Sequence, residues 1–101
     1  MSRESLSRQQ VLALLKQCKQ EFERDYGVTA LGVFGSIARQ EPTATSDVDV
    51  VVRMREPDLF FLVHIKERLE TALGSHVDIV HYRERMNPFL KKRIDREAVY
   101  A

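Results

Sequence analysis

The stretch SDVDVVV, Ser46 to Val52, constrains this chain more than any other. β-Branched residues dominate it, which selects a strand, and side chains two apart in a strand point to one face. Asp47 and Asp49 therefore project together, while Val48, Val50 and Val52 face the other way. Crowded or buried carboxylates are costly unless something positive neutralises them. The fold must therefore bring a metal ion or a cationic group to one face of this strand start.

The flanking sequence supplies the other elements. Val11, Leu14, Leu15, Cys18 and Phe22 recur at helical spacing between Ser7 and Tyr26, with Ser7 and Gln10 as a capping box and Gly27 as the stop. Val28 to Phe34, VTALGVF, reads as a buried strand ending in a tight turn at Gly35-Ser36, and a brief helix, SIARQ, follows. Pro42 and the polar TATS run form a loop into the second strand, Asp47 to Met54. The next helix opens near Pro57, points Leu59, Phe60, Val63, Leu69 and Leu73 inward, and stops at Gly74. His76 to Tyr82 is a third strand; Asn87 caps and Pro88 opens a last helix through Ile94 towards Tyr100. The order α-β-α-β-α-β-α predicts an α/β (α+β) fold, a small mixed sheet packed by helices.

Length and composition limit what this fold can do. A chain of 101 residues supports one domain, residues 1–101, burying roughly two-thirds of its unfolded surface. Its 44% hydrophobic and 31% charged content is that of an ordinary globular protein. Sixteen basic and 15 acidic residues leave a net charge of +1, so no global field favours nucleic acid or an anionic membrane. MSRESLSRQQ lacks a signal peptide's apolar core, and no apolar run nears the roughly 20 residues of a membrane span, so a cytoplasmic location is expected. Cys18 is the only cysteine, which excludes an internal disulfide and a cysteine-based zinc site; its place on an apolar stripe makes it a core thiol.

Asp78 lies between Val77 and Ile79 in the third strand. If that strand pairs beside the second, a third carboxylate joins Asp47 and Asp49. Such a set of hard oxygens suits Mg²⁺ or Mn²⁺. Two ions about 3.5–4 Å apart would stabilise the attacking and leaving oxygens of an in-line phosphoryl displacement. Gly35-Ser36 offers a triphosphate close backbone approach, a hydroxyl and N–H groups at a helix start. Arg39 could bind a phosphate, or pair with Glu41 or an aspartate of the site. The plainer alternatives are a turn or N-cap role for Asp47 and a strand-edge ion pair for Asp78. His76 shares a strand face with Asp78 yet reads as a surface residue, as do His64 and His81, and Lys91, Lys92 and Arg93 read as a solvated helix face.

Together, GSIARQE, SDVDVVV and VDIV resemble the minimal nucleotidyltransferases of the DNA polymerase β-like superfamily. That pattern is Gly-Ser-x-Ala-Arg-Gly-Glu, then Ser-Asp-x-Asp, then an aspartate in a later strand, and the resemblance extends to the closing NPFLKKRIDREAVY. It implies that Asp47 and Asp49 bind both metals, that Asp78 binds one and helps deprotonate the acceptor, and that Gly35 and Ser36 hold phosphate. Gln40 departs from the pattern, standing where the family has glycine. Family members of this size resemble antitoxins paired with all-helical HEPN ribonuclease toxins, some transferring AMP from ATP to a toxin tyrosine. The short chain agrees, since it has no second domain to bind an acceptor, although an oligomer remains open. Two rival functions are an antitoxin that acts by occlusion alone and a transferase acting on a small molecule.

Overall fold

In the computed structural model, which describes residues 6–41 and 47–101, the elements are α1 (Arg8–Tyr26), β1 (Val28–Phe34), α2 (Gly35–Ala38), β2 (Val48–Met54), α3 (Leu59–Leu73), β3 (Val77–His81), α4 (Pro88–Glu97) and β4 (Val99–Tyr100). The loop expected at Pro42 and TATS lies outside the described residues. Helix α1 starts as its sequence demands. Ser7 Oγ accepts from the Gln10 amide at 3.1 Å, Gln10 Oε1 accepts from the Ser7 amide at 2.8 Å, and Gly27 ends the helix at a φ of 69°. Val11, Leu15, Cys18 and Phe22 are buried, whereas Leu14 is only half-buried and Leu12 packs against the core instead. Burial pushes the Cys18 thiol pKa up, with Arg68 opposing, as befits a core thiol.

The sheet order is β3-β2-β1-β4. Both neighbours of β1 run antiparallel to it, and β2 and β3 pair in parallel, with α3 as the crossover. Being internal, β2 is covered on both faces. Val48, Val50 and Val52 join α1 and the inner side of α3 in the larger core, while Val51 packs with Phe34 and with Ile94 of α4 in a smaller one. Alternation along the strand therefore sets Asp49 on the same sheet face as α4.

Two expectations need correction. The inward face of α3 is Ile65 and Leu69, supported by Phe61, Leu62 and Leu73, while Leu59 and Phe60 are 79% and 78% exposed and Val63 is also exposed. LFFLV is apolar all round and so could not set the phase; the i,i+4 row Phe61–Ile65–Leu69–Leu73 does. The last helix ends at Glu97 rather than running towards Tyr100, and the chain then forms β4, a strand the sequence reading missed. β1 has an edge whose backbone groups need partners. Val99 and Tyr100 pair with Val33 and Gly32, and the Ala101 amide donates to Leu31 O at 2.9 Å. The described residues hold no helix long and apolar enough to cross a membrane.

Glycine at position 32 is required by that edge, since a Cβ there would lie 2.7 Å from Val99 O and 2.9 Å from Tyr100 Cδ1. Gly32→Ala should lose about 1–3 kcal/mol in urea denaturation; unchanged stability would mean that β4 does not pack as described. Leu69→Ala should cost about 2–5 kcal/mol and Phe60→Ala under about 0.5 kcal/mol, and the reverse order would restore the face first expected for α3.

Candidate active site

Parallel pairing of β2 and β3 sets Asp49 level with Asp78, while antiparallel pairing places Phe34 opposite Asp49. Gly35 follows Phe34 directly, at a φ of 74°. A Cβ at this position would collide with Asp49 Oδ2 and lie 3.2 Å from Arg93 Nη2, so only glycine permits the turn to run this close to the carboxylate. Asp47 stands exposed just before β2. The three expected carboxylates thus gather at the N-terminal ends of the two parallel strands, beside the Gly35-Ser36 turn.

Electrostatics at Asp49 reflect the crowding. Burial raises its pKa first, Asp78 and Asp47 add to the rise, and Arg93 and more weakly Arg39 oppose it. Among the described residues none donates a hydrogen bond to Asp49. Among them, too, no three carboxylate, imidazole or thiolate groups are drawn round one point. Even so, the donor chemistry fits Mg²⁺ or Mn²⁺: the oxygens are hard, and such ions complete their shell with water and substrate phosphate.

Arg39 takes the ion-pair alternative. Its Nε lies 2.9 Å from Glu41 Oε1 and its Nη2 3.2 Å from Glu41 Oε2, while Nη1 donates to Glu97 Oε1 at 2.8 Å. That single Glu97 oxygen also accepts from the Gly35 amide at 3.2 Å and from Arg93 Nε at 3.4 Å. The Gly35 amide, expected to be free for phosphate, is therefore held by Glu97. Burial alone would raise the Glu97 pKa, but Arg39 and Arg93 hold the carboxyl below its ordinary value. No described residue pairs with the Ser36 hydroxyl.

Arg93 and Glu97 were not expected at the site. Both belong to α4, four residues apart on one helix face, and the sequence does not reveal that this helix packs on the sheet face that carries Asp49. Arg93 in particular is not part of a solvated face: it is half-buried, with its guanidinium 5.6 Å from the Phe34 ring centroid. Lys91 turns away to Glu84 and the Tyr82 ring, and Lys92 is exposed. His76 stands closer to the site than expected, with Nε2 3.6 Å from Asp78 Oδ1 and Nδ1 2.9 Å from Glu70 Oε2. His64 sits against Tyr26, and His81 lines a groove of about 600 Å³ between α3, β3 and α4 that contains none of the aspartates.

Known proteins resemble this chain over nearly its whole length. The nucleotidyltransferase domain family matches residues 15–101. Protein adenylyltransferase MntA of Thermococcus cleftensis is 35% identical over 96 residues, covering 94% of this chain and 96% of that protein. A solved structure assigned as a minimal nucleotidyltransferase superposes with a TM-score of 0.77 at 32% identity, covering 96% of this chain and 98% of the other. A re-refined complex of tri-AMPylated Shewanella oneidensis HEPN toxin with an MNT antitoxin contains the same fold, with a TM-score of 0.62 at 21% identity over 88% of this chain and 70% of that one. The chain belongs to the nucleotidyltransferase domain family, within it to the minimal nucleotidyltransferases, and is a nucleotidyltransferase enzyme.

Proposed function

We propose that this enzyme is a metal-dependent protein adenylyltransferase that moves AMP from ATP to a tyrosine hydroxyl of a HEPN toxin, and so serves as that toxin's antitoxin. The observation that carries the reading is Asp49 level with Asp78 across the parallel strands, facing Gly35. The substrate and partner are supported by the adenylyltransferase relative and by the AMPylated toxin complex of the same fold. An ATP-dependent reaction of this kind would be at home in the cytoplasm.

Asp47, Asp49 and Asp78 would hold Mg²⁺, or Mn²⁺, and two such ions supply charge neutralisation of the triphosphate and of the attacking and leaving oxygens. The chain's own residues do the remaining work. Gly35 and Ser36 let the triphosphate approach the backbone, with the Ser36 hydroxyl available as a donor. Arg39 braces the turn through Glu41 and Glu97. Asp78 accepts the proton of the acceptor hydroxyl as its oxygen bonds to the α-phosphorus; the bond to the β-phosphate oxygen breaks and pyrophosphate leaves. Asp78 is 55% exposed, so an acceptor presented by a second protein can reach it.

Intact-mass spectrometry of the HEPN partner, incubated with this enzyme, ATP and Mg²⁺, tests the reading. One or more AMP units should be added, and none with EDTA or with the Asp47→Asn/Asp49→Asn variant. A stable complex without mass gain would replace transfer by occlusion.

Asp49 should also reveal itself in stability. Its raised pKa means that the folded protein holds this proton more tightly than the unfolded chain, so the ionised carboxylate opposes folding at neutral pH. Asp49→Asn should therefore raise the melting temperature at pH 7. The difference should shrink as pH falls through the raised pKa. A variant that melts lower than the wild type would contradict the electrostatic account.

A further inference from the structure

We propose that Arg93 of α4 binds the β- or γ-phosphate of the nucleoside triphosphate, making the C-terminal helix part of the nucleotide site. The inference rests on the nucleotide reading above and adds to it a residue outside the Gly-Ser and Asp-x-Asp segments.

Position comes first. α4 covers the sheet face that carries Asp49, and Arg93 Nη2 reaches within 3.2 Å of where a Gly35 Cβ would stand, on the side of Gly35 that Asp49 Oδ2 also crowds. The guanidinium therefore lies beside the turn that a triphosphate must approach. Orientation comes next. Nε is tied to Glu97 Oε1 at 3.4 Å and the guanidinium lies 5.6 Å from the Phe34 ring centroid, while no described residue accepts from either terminal nitrogen. A guanidinium anchored by Nε, with terminal nitrogens that no described residue engages, suits two-point binding of a phosphate.

Charge supports the same assignment. The site gathers three aspartates, and the cation within its sequence motif, Arg39, is engaged with Glu41 and Glu97 at 2.8–3.2 Å. A polyanionic ligand needs a permanent positive charge with donors to spare; Arg93 shares Glu97 with Arg39 but engages it through Nε alone, and an arginine is charged at every working pH.

The discriminating measurement is isothermal titration calorimetry of ATP, ADP and AMP with Mg²⁺ at constant ionic strength, using wild type, Arg93→Gln and Arg93→Lys, with melting temperatures as folding controls. Gln is neutral and of similar reach. Arg93→Gln should weaken ATP binding about 10- to 100-fold and AMP binding far less, with partial recovery in Arg93→Lys. Equal losses for ATP and AMP would make Arg93 a structural brace, and unchanged ATP affinity would remove it from the site; either overturns the proposal. If Arg93→Gln fails to fold, Arg93→Lys decides alone: a several-fold loss confined to ATP and ADP supports phosphate binding by the arginine fork, and no such loss rejects it. Failure of the wild type to bind ATP would instead overturn the nucleotide reading, and this inference with it.

Discussion

Parallel pairing of β2 with β3 puts like charges side by side, and much of the structure can be understood as what makes that tolerable. Asp49 and Asp78 occupy partner positions, so their repulsion is built into the register and cannot be relieved without slipping the strand. A slip of one residue would carry Val48, Val50 and Val52, all fully buried, to the opposite face. Burial of the valines thus holds the aspartates in an arrangement that their own electrostatics oppose. Functional sites commonly accept such local instability in exchange for chemistry.

Glu97 performs the complementary task on the basic side. One of its oxygens gathers the Gly35 amide, Arg39 and Arg93, which come from β1's exit, the α2 terminus and α4. A carboxylate only 10% exposed is favourable when cations surround it and unfavourable when isolated. The result is a bracket that fixes the turn, orients two arginines and fastens the C-terminal helix to the acidic face. β4 extends the same attachment, because the chain leaving α4 pairs immediately with β1. The C-terminal quarter of the chain therefore stands behind the site as well as closing the sheet.

The sequence made the chemistry legible because its residues are local. GSIARQE and SDVDVVV each place their groups within a few positions, where strand alternation and turn geometry suffice to orient them. The mixed sheet with helices followed from periodicity, caps and stops, as at Ser7, Gly27, Gly74 and Asn87. What escaped was decided by distant contacts. LFFLV could not disclose which side of α3 the sheet would cover, and Val99-Tyr100 becomes a strand because β1 offers an open edge. Arg93 read as part of a solvated basic face with Lys91 and Lys92 until the sheet face under α4 was known.

Gln40 shows how a departure from a family pattern can be read physically. It has a φ of 60°, the left-handed conformation that glycine enters without penalty and other residues enter at about 1–2 kcal/mol. The backbone at this point has thus kept the shape that glycine favours while the side chain has changed. Two hydrogen bonds hold that shape, from the Gln40 amide to Ile37 O at 3.1 Å and from the Glu41 amide to Ser36 O at 2.9 Å. Glu41, immediately after the left-handed residue, is thereby directed at Arg39, which in turn reaches Glu97. The strain at Gln40 is therefore borne by the same network that braces the Gly35-Ser36 turn.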